Sequence, residues 1–434
     1  MRDAMTRNAL LTTVAALALL GLPARDLAAQ TGGGSPTVIY EWNKLLQDTI
    51  PGGGGAGAPR FYALTHIAMF DAINAIAREF APYRVEFNQP VNGSAPAAAA
   101  QAAHDVIVAL NPQASAAYDA LLLQQLGSAP SGFEQHGAAI GARVAAEILA
   151  WRQNDGWIVS SFPPYSEPQL PGRWQPTPPA FAAATFTHAQ SAAPLAMVSS
   201  TQFLPVRPPA LTSAAYATDL NEVKLLGKSD SQTRTSDQTA TARLWASIAA
   251  SGSGTATHYS QIWQNVARDV SQERGLTLVE TARLFALMNV SIHDALQTTL
   301  TSKFVYGLWR PVTAIRQADT DLNAATDPDP TWSTLIPTPP YPSYAGNMAT
   351  IGASAARVIA LAIGTNDVEV HTTWKQSGGQ ADMTHTFSTL SDVAQEQADS
   401  RIYGGIHYRF DNVAGQIAGT AVAEYVFANF MTPR

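Results

Sequence analysis

The chain has 434 residues, of which 46% are hydrophobic and 14% are charged, and its formal net charge is −7. A chain of this length buries a large core, and its acidic balance without a basic stripe argues against a general nucleic-acid-binding protein. It has no cysteine, which excludes thiol catalysis, iron–sulfur clusters and cysteine zinc sites. Any positively charged site must therefore be local and built from a few residues.

The N-terminal segment is typical of a secretory signal peptide. Arg2 and Arg7 precede or flank an apolar run over Ala9–Leu22, and small residues follow it as a cleavage site. The run is short for a bilayer span. We therefore predict a signal peptide over 1–29 and no stable membrane anchor. The mature protein, residues 30–434, is predicted to be a single helical domain that is secreted or periplasmic.

Helical periodicity dominates the next part of the chain. In "FYALTHIAMFDAINAI" (Phe61–Ile76) apolar residues recur at the spacing of a helix face, and the alanine-rich segments 95–110 and 133–151 also favour helix. We find no long segment with the period-two alternation of a β-strand. The proline-rich stretch Phe162–Phe181 predicts a long loop, because proline interrupts both helices and central strands.

Helix signals continue to the C-terminus. Thr277 followed by Glu280 is a capping-box pattern, which predicts where a long helix begins. Asp411 or Asn412 is predicted to cap the last helix. Together these features predict an all-α protein with long proline-rich connections.

Ionisable residues concentrate in two segments of the C-terminal half. Lys303 and Arg310 are separated by six residues, and Arg401 lies six positions before His407, with Asp411 four further on. Three cations and a histidine, if gathered, suit a tetrahedral oxyanion, because guanidinium groups bind oxygens in pairs and lysine adds a point charge. An aspartate near the histidine can fix its tautomer and leave the other ring nitrogen free. Spacing alone leaves surface charges and a structural histidine as alternatives.

The order of these residues resembles the type 2 phosphatidic acid phosphatase/vanadium-dependent haloperoxidase superfamily. The patterns K-x6-R-P and S-R-x5-H-x3-D both match in full, at Lys303, Arg310, Pro311, Ser400, Arg401, His407 and Asp411. Segments such as "THIAMFDAINAI" and "PGRWQPTPPAF" resemble the secreted, bacterial haloperoxidase-like branch. The resemblance extends over nearly all of the mature chain.

The resemblance implies an all-helical fold built around two four-helix bundles, with the oxyanion site inside one of them, within residues 303–411. It implies that Lys303, Arg310 and Arg401 hold the oxygens of vanadate or phosphate. His407 would be the axial ligand of vanadium in a peroxidase, or the phosphate-attacking nucleophile in a phosphatase, and Asp411 would orient it. One oxyanion-binding site can serve a peroxidase or a phosphatase, because a metal oxyanion and a phosphoryl transition state share charge and shape.

The family also has a middle motif, P-S-G-H, whose serine and glycine donate to the oxyanion and whose histidine transfers protons. The neutral stretch Pro339–Thr350 lies where this motif belongs. A direct match aligns Pro342–Ala345 with the motif, whereas the longer family form P-S-Y-P-S-G-H-A-T aligns Ala345–Met348 with it. We prefer the second alignment because the flanking residues also agree. Neither alignment contains a histidine.

The missing histidine affects turnover more than binding. In the preferred alignment Met348 occupies the histidine position, and a thioether cannot take or give a proton at ordinary pH. Gly346 could still offer its backbone N–H to an oxyanion, and Asn347 could donate from its side chain. The sequence therefore predicts an oxyanion site that is intact on two sides and altered on the third.

Most other histidines are expected to be structural, because their spacing does not form a recognised zinc pattern. The pairs are His66 with Asp71, His104 with Asp105, and His293 with Asp294. His293, His371 and His385 are the nearest histidines in sequence that could replace the missing acid. Trp309 beside Arg310 either walls the pocket or packs in the core.

The leading interpretation is a vanadium-dependent haloperoxidase-like protein that binds vanadate and activates hydrogen peroxide to oxidise halide or an organic substrate. The absent histidine is expected to impair or alter this activity. One alternative is an acid phosphatase that uses His407 as nucleophile, and another is a non-catalytic protein that binds phosphate or vanadate. The expected cofactor is vanadate, with phosphate able to occupy the same site. The expected partners are small molecules, with no nucleic acid, and the oligomeric state is left open.

Overall fold

The computed structural model describes residues 34–50, 57–247, 258–375 and 381–434. The predicted signal peptide lies outside these ranges. The described residues contain thirteen α-helices and a single two-stranded sheet, so the predicted all-α fold class is confirmed. The helices are α1 (Thr37–Thr49), α2 (Ala58–Ala77), α3 (Ala95–Leu110), α4 (Ser115–Leu126), α5 (Gly132–Arg152), α6 (Ala214–Leu226), α7 (Ser236–Trp245), α8 (Tyr259–Glu273), α9 (Leu278–Tyr306), α10 (Pro311–Arg316), α11 (Asn347–Ile363), α12 (Leu390–Tyr403) and α13 (Arg409–Asn429).

Helix α9 connects the two halves of the fold. It has 29 residues, which makes it about 43 Å long at the usual helical rise, and most of its side chains are buried. Helices α2, α3 and α5 pack together, and α2 also packs against α9. In the C-terminal half α11 packs against α9, α12 and α13. A helix that is buried on nearly all sides lies in the centre of a fold, and the buried residues of α9 include many polar side chains as well as apolar ones.

The starts of two helices test the capping predictions. Thr277 accepts a hydrogen bond from the Glu280 N–H at 3.3 Å, and the Glu280 carboxylate accepts from the Thr277 N–H at 2.9 Å, which confirms the capping box. The prediction for the last helix is wrong, because α13 begins at Arg409 with Tyr408 at the cap position. Asp411 lies in the first turn and accepts from the Tyr408 N–H at 3.2 Å. It acts from inside the helix, as the acidic member of a capping box does.

One element was absent from the sequence prediction. Strands β1 (Asp367–Trp374) and β2 (Met383–Thr389) form an antiparallel hairpin, and the residues of β1 alternate between exposed and buried. The inward positions of β1 include Val368 and Val370 but also the polar Thr372. A short strand with a polar inward residue gives only a weak period-two signal.

No single helix among the described residues has the length and hydropathy that a membrane crossing requires. The helices α3 and α4 reach that length only as a pair together with the short 3-10 turn between them, and this pair is bent by 118°.

Glycines let α11 and α13 cross closely. A Cβ atom on Gly415 would lie 2.5 Å from the Gly346 carbonyl oxygen, and one on Gly419 would lie 2.2 Å from the Thr350 carbonyl oxygen. Side chains cannot occupy such short contacts with backbone without moving one helix. The two glycines therefore hold the start of α11 beside the segment His407–Asp411.

This crossing predicts that Gly419→Ala lowers the free energy of unfolding by about 1–3 kcal/mol, because the added methyl group forces α11 away from α13. Equilibrium denaturant unfolding measures the change. The matched control is Gly132→Ala in the first turn of α5, where a Cβ atom meets nothing within 4 Å. It should leave stability unchanged or slightly raise it. Equal stability of the two variants would contradict the close-crossing argument.

Candidate oxyanion site

The five ionisable side chains of the outer motifs meet in the interior although several separate elements carry them. Lys303 lies in the last turn of α9, Arg310 immediately precedes α10, and Arg401 lies in the last turn of α12. His407 lies in the connection to α13, and Asp411 in the first turn of that helix. Each is at most 5% exposed. The positive charges of all three cations act on His407 and help lower its pKa.

His407 is held as a neutral imidazole with one nitrogen directed by Asp411. Its Nδ1 lies 2.8 Å from Asp411 Oδ2, an oxygen that also accepts from Ser343 Oγ at 2.6 Å. An Nδ1–H donor to the carboxylate leaves the lone pair on Nε2. Burial and the nearby cations hold the pKa of His407 well below its ordinary value. The Nε2 atom therefore has the lone pair that a ligand or a nucleophile requires at neutral pH.

Arg310 is anchored along one edge and has an unpaired donor. Its Nε donates to the Tyr341 carbonyl and its Nη1 to the Ile406 carbonyl, both at 2.8 Å. Nη1 also lies 3.2 Å from His407 Nε2. Nη2 is buried and has no hydrogen-bond partner within the described part of the chain. A buried guanidinium with one unpaired donor beside a neutral imidazole fits an oxyanion oxygen.

Lys303 joins the site to the neutral stretch Pro339–Thr350. Its Nζ donates to the carbonyl oxygens of Ser343 at 2.8 Å and Ala345 at 2.5 Å. An ammonium group has three donors, so one remains for an anion. Burial, followed by the charge of Arg310, lowers the pKa of Lys303 well below its ordinary value. A bound anion would offset both effects.

Arg401 completes the group of cations. Its Nε donates to Ser400 Oγ at 3.0 Å, and burial lowers its pKa to about 10. Among the described residues none of the three cations forms a salt bridge with a carboxylate within 4 Å. Buried charges are normally paired, since desolvation of an unpaired ion costs several kcal/mol. Three buried cations with a single nearby carboxylate, Asp411, fit a multivalent anion.

The structure favours the preferred alignment of the middle motif. Met348 lies in the first turn of α11 and lines a cavity of about 410 Å³ together with Arg401. Ala345, which takes the histidine position in the direct alignment, is fully buried and does not line this cavity. Ser343 donates to Asp411 behind His407. The side chain that stands at the cavity wall is therefore Met348.

The two hydrogen-bond donors predicted in the stretch Pro339–Thr350, the Gly346 N–H and the Asn347 side chain, have different surroundings. The Gly346 N–H donates to the Asp411 carbonyl at 2.9 Å, so the donor that the sequence analysis offered to an oxyanion is already paired. This hydrogen bond joins the stretch Pro339–Thr350 to α13. The Asn347 side chain lines the cavity, and its Nδ2 lies 3.4 Å from the Tyr341 hydroxyl. The N-terminus of α11 also lies at this cavity, and its dipole favours negative charge.

The cavity is bounded by aromatic side chains and by two residues that no motif marked, His258 and Tyr259. The aromatic and polar lining residues are Phe186, Trp245, His258, Tyr259, Tyr341, Asn347 and Arg401. His258 precedes α8 directly, and its segment shows no acid–base motif that would single it out. The remaining signal available in the sequence was only the presence of a histidine at a helix start.

The other singled-out residues lie away from this cavity. His293 is buried on α9 beside Asp294, whereas His371 and His385 lie on the β1–β2 hairpin. His66 lies 2.9 Å from the Asn43 amide nitrogen, and Asp71 accepts three backbone N–H bonds from residues 83–85. His104 contacts Asp105 and Asp119.

Trp309 is buried and donates to the Tyr216 hydroxyl at 3.1 Å, which is a core position. Among described residues no group of three or more histidines and acids is placed to hold a metal ion.

Comparisons with known proteins agree with the motifs. Residues 283–433 match the family described as the VCPO second helical-bundle domain. A vanadium chloroperoxidase of Curvularia inaequalis is 26% identical over 228 residues, which cover 41% of this chain and 37% of that protein. The match thus spans little more than a third of that relative's length.

Solved structures share the fold over most of the chain. A bacterial vanadium-dependent iodoperoxidase has a TM-score of 0.77 at 21% identity, covering 92% of this chain and 97% of its own. The apo form of a bacterial vanadium-dependent chloroperoxidase has a TM-score of 0.69 at 15% identity, covering 86% and 92%. The holo form of such an enzyme has a TM-score of 0.66 at 16% identity, covering 94% and 95%.

The fold is the helical fold of the vanadium haloperoxidases, and three buried cations lie around His407 within it. The sequence and structure matches confirm the resemblance to the vanadium haloperoxidases. Residues 283–433 match the second helical-bundle domain of this family, the described residues share the fold of the vanadium haloperoxidases, and the middle motif of this chain lacks histidine.

The depressed pKa of Lys303 predicts that inorganic phosphate binds with net proton uptake at alkaline pH. Free Lys303 loses its proton at lower pH than an ordinary lysine, and a bound anion restores the charged form, so protein and anion together take up a proton between the two pKa values. Calorimetry at about pH 9 in buffers of different ionisation enthalpy measures this uptake, since His407 is neutral and free phosphate is a dianion there.

The matched control for this measurement is Lys303→Arg, which stays charged throughout the range. It should bind phosphate without proton uptake. Equal uptake by the unaltered protein and by Lys303→Arg would show that another group takes the proton.

Proposed function

We propose that this protein is a vanadium-dependent haloperoxidase-like enzyme that binds vanadate and uses hydrogen peroxide to oxidise halide or an organic substrate. The observation that carries the proposal is the convergence of Lys303, Arg310 and Arg401 on neutral His407 without carboxylate partners of their own. A protein maintains such a cluster at a cost in folding free energy. The cost is offset when an oxyanion supplies the missing negative charge.

Each residue has a distinct task in this proposal. His407 Nε2 would ligate vanadium, and Asp411 would keep that nitrogen unprotonated by accepting from Nδ1. Arg310 Nη2, the third Nζ proton of Lys303 and the guanidinium of Arg401 would hold the oxygens. When bound, vanadate would supply Lewis-acid activation of hydrogen peroxide without a change in its own oxidation state.

The alternative phosphatase activity has weaker support. His407 has the neutral Nε2 that attack on phosphorus requires, but the departing alkoxide needs an acid, and Met348 at the motif position cannot supply it. A phosphomonoesterase with this cavity would therefore be slow. Vanadate or phosphate binding is independent of that acid.

We also propose that the protein acts outside the cytoplasm, which rests on the signal-like sequence over 1–29. Its partners would then be small molecules, namely peroxide and halide or an organic substrate. The cavity of about 410 Å³ beside Arg401 is of the size that small ligands occupy.

The proposed function predicts dye bromination that requires both added vanadate and peroxide. The reaction is followed by absorbance, and vanadate affinity is measured separately by calorimetry. Arg310→Ala should abolish turnover and weaken vanadate binding at least tenfold, because it removes a charge-assisted donor. Vanadate-inhibited release of nitrophenol from its phosphate ester, without bromination, would support the phosphatase instead. Tight vanadate binding with neither reaction would indicate a non-catalytic binding protein.

Restoring the motif histidine should raise turnover. Met348→His places an imidazole at the cavity wall, and a positioned acid–base group typically contributes about 10²- to 10⁴-fold. We expect a rise in kcat for bromination of at least tenfold. Met348→Leu, which keeps an apolar side chain of similar size, is the control and should leave kcat unchanged. No gain in Met348→His with an intact fold would argue against the alignment of Ala345–Met348 with P-S-G-H.

A further inference from the structure

The neutral stretch Pro339–Thr350 contains a phenol at the cavity beside the oxyanion site. Of its tyrosines, Tyr341 lines this cavity, whereas Tyr344 does not. The Tyr341 N–H donates to the Pro339 carbonyl at 2.9 Å, and the Tyr341 ring meets the edge of the Phe186 ring with their centroids 6.3 Å apart. Contacts from the backbone and from the side chain therefore fix the position of the phenol.

Two cations of the outer motifs lie over the Tyr341 ring. Lys303 Nζ is 5.2 Å from the ring centroid, and Arg310 Cζ is 5.0 Å from it. Cations at such distances interact directly with an aromatic ring. Arg310 Nη1 also lies 3.2 Å from His407 Nε2. The same guanidinium group thus contacts both the phenol ring and the imidazole nitrogen that is assigned to the oxyanion.

The phenol also lies within electrostatic range of the third cation. Burial lowers the pKa of Arg310 and the pKa of Arg401, and Tyr341 is in each case the first group that counters this effect. Such an effect weakens steeply with distance and with exposure to water. The charged and titratable side chains around the Tyr341 phenol are Lys303 from α9, Arg310 before α10, Arg401 from α12, and His258 and Tyr259 at the start of α8.

The Tyr341 hydroxyl accepts a hydrogen bond but donates none to the described residues. Asn347 Nδ2 donates to the phenol oxygen at 3.4 Å, and no acceptor for the O–H lies within the described ranges. A donor and nearby cations stabilise the negative charge that a phenol oxygen acquires when its proton leaves. The Tyr341 O–H can therefore give its proton to an oxygen in the cavity.

We propose that Tyr341 is the proton donor of the site in place of the motif histidine, an inference that rests on the proposed function. The O–H bond of Tyr341 breaks as its proton passes to a hydroxyl oxygen of the bound oxyanion, and this oxygen leaves as water. The phenolate then takes a proton from incoming hydrogen peroxide, which enters the site as an anion. Tyr341 ends the exchange as it began, and no reactant beyond peroxide is needed.

The other titratable groups of the cavity lining fit this role less well. His258 Nδ1 accepts from the Ser260 N–H at 3.4 Å, and burial lowers the pKa of His258 to about 4, so the ring is neutral and retains its one proton. Burial raises the pKa of Tyr259, which makes that phenol a weaker acid. Among these described groups, Tyr341 is the one whose ring lies under two cations of the site.

The first test compares turnover with vanadate binding in Tyr341→Phe. Phenylalanine keeps the ring under Lys303 and Arg310 but has no proton to give. We expect kcat for vanadate-dependent bromination to fall about 10²-fold, while vanadate affinity measured by calorimetry changes less than threefold. The matched control is Tyr425→Phe, on α13 and outside the cavity lining, which should leave both values unchanged.

Two results of this comparison would overturn the inference and leave the proposed function in place. An unchanged kcat in Tyr341→Phe would show that another group carries the proton. Equal losses of kcat and of vanadate affinity would make the Tyr341 hydroxyl a binding group for the anion instead of a proton donor.

The second test asks whether an imidazole removes the need for the phenol. Met348→His places an imidazole at the same cavity wall, and an imidazolium is a stronger acid than a phenol. In that background Tyr341→Phe should lower kcat less than threefold, against about 10²-fold in the unaltered protein. A structural effect of Tyr341→Phe would be the same in both backgrounds. Equal losses, with kcat raised by Met348→His alone, would therefore overturn the proton role.

The third test does not depend on turnover. Fluorine nuclear magnetic resonance of protein labelled with fluorotyrosine follows each phenol ring, and the two phenylalanine variants assign the signals of Tyr341 and Tyr425. Adding inorganic phosphate should shift the Tyr341 signal, because the anion binds to cations that lie over this ring, and should leave the Tyr425 signal in place. Phosphate binding without a change at Tyr341 would overturn this inference alone. If the unaltered protein binds neither vanadate nor phosphate, the proposed function and this inference both fail.

Discussion

Positive charge buried around His407 is the constraint on which the rest of the site depends. Lys303, Arg310 and Arg401 are almost inaccessible to water and have no carboxylate partners among the described residues within salt-bridge distance. Their polar atoms are held instead mainly by backbone carbonyl oxygens, which orient a cation without neutralising it. Neutral acceptors leave the net charge available to an anion, whereas carboxylates would compete with it. Burial and the same positive charge together hold the pKa of His407 well below its ordinary value.

The neutral stretch Pro339–Thr350 therefore has a structural task that its composition conceals. Its carbonyl groups hold Lys303 and Arg310, and the Gly346 N–H bonds the Asp411 carbonyl. A charged side chain in this stretch would alter the balance that the carbonyl groups preserve. The close crossing of α11 and α13 at Gly415 and Gly419 sets the distance across which these bonds form. Packing between the two helices thus helps to position the carbonyl groups that hold Lys303 and Arg310.

A feature of the fold or of the candidate site could be predicted where its signal lies in a short segment of the sequence. Helices, the Thr277 capping box and the outer motifs are encoded in spacing, so the sequence predicted them. The inward alternation of β1 was too short and too polar to identify a strand. Asp411 or Asn412 was predicted to cap α13, because a polar residue near a helix start does not reveal whether it acts from the cap or from the first turn. His258 was missed altogether, because its position in the cavity results from the tertiary packing of α8.

A site assembled in this way can lose one function while retaining another. Anion binding requires charge at fixed positions, and the fold places the three cations on α9, immediately before α10 and on α12. Proton transfer requires only one titratable atom within reach of the reacting oxygen, and several elements border the cavity. A histidine at any of these borders meets the requirement, whereas a substitution among the cations would remove the charge itself. The group that varies in this chain is accordingly the proton-transfer histidine, and the cations of both outer motifs remain.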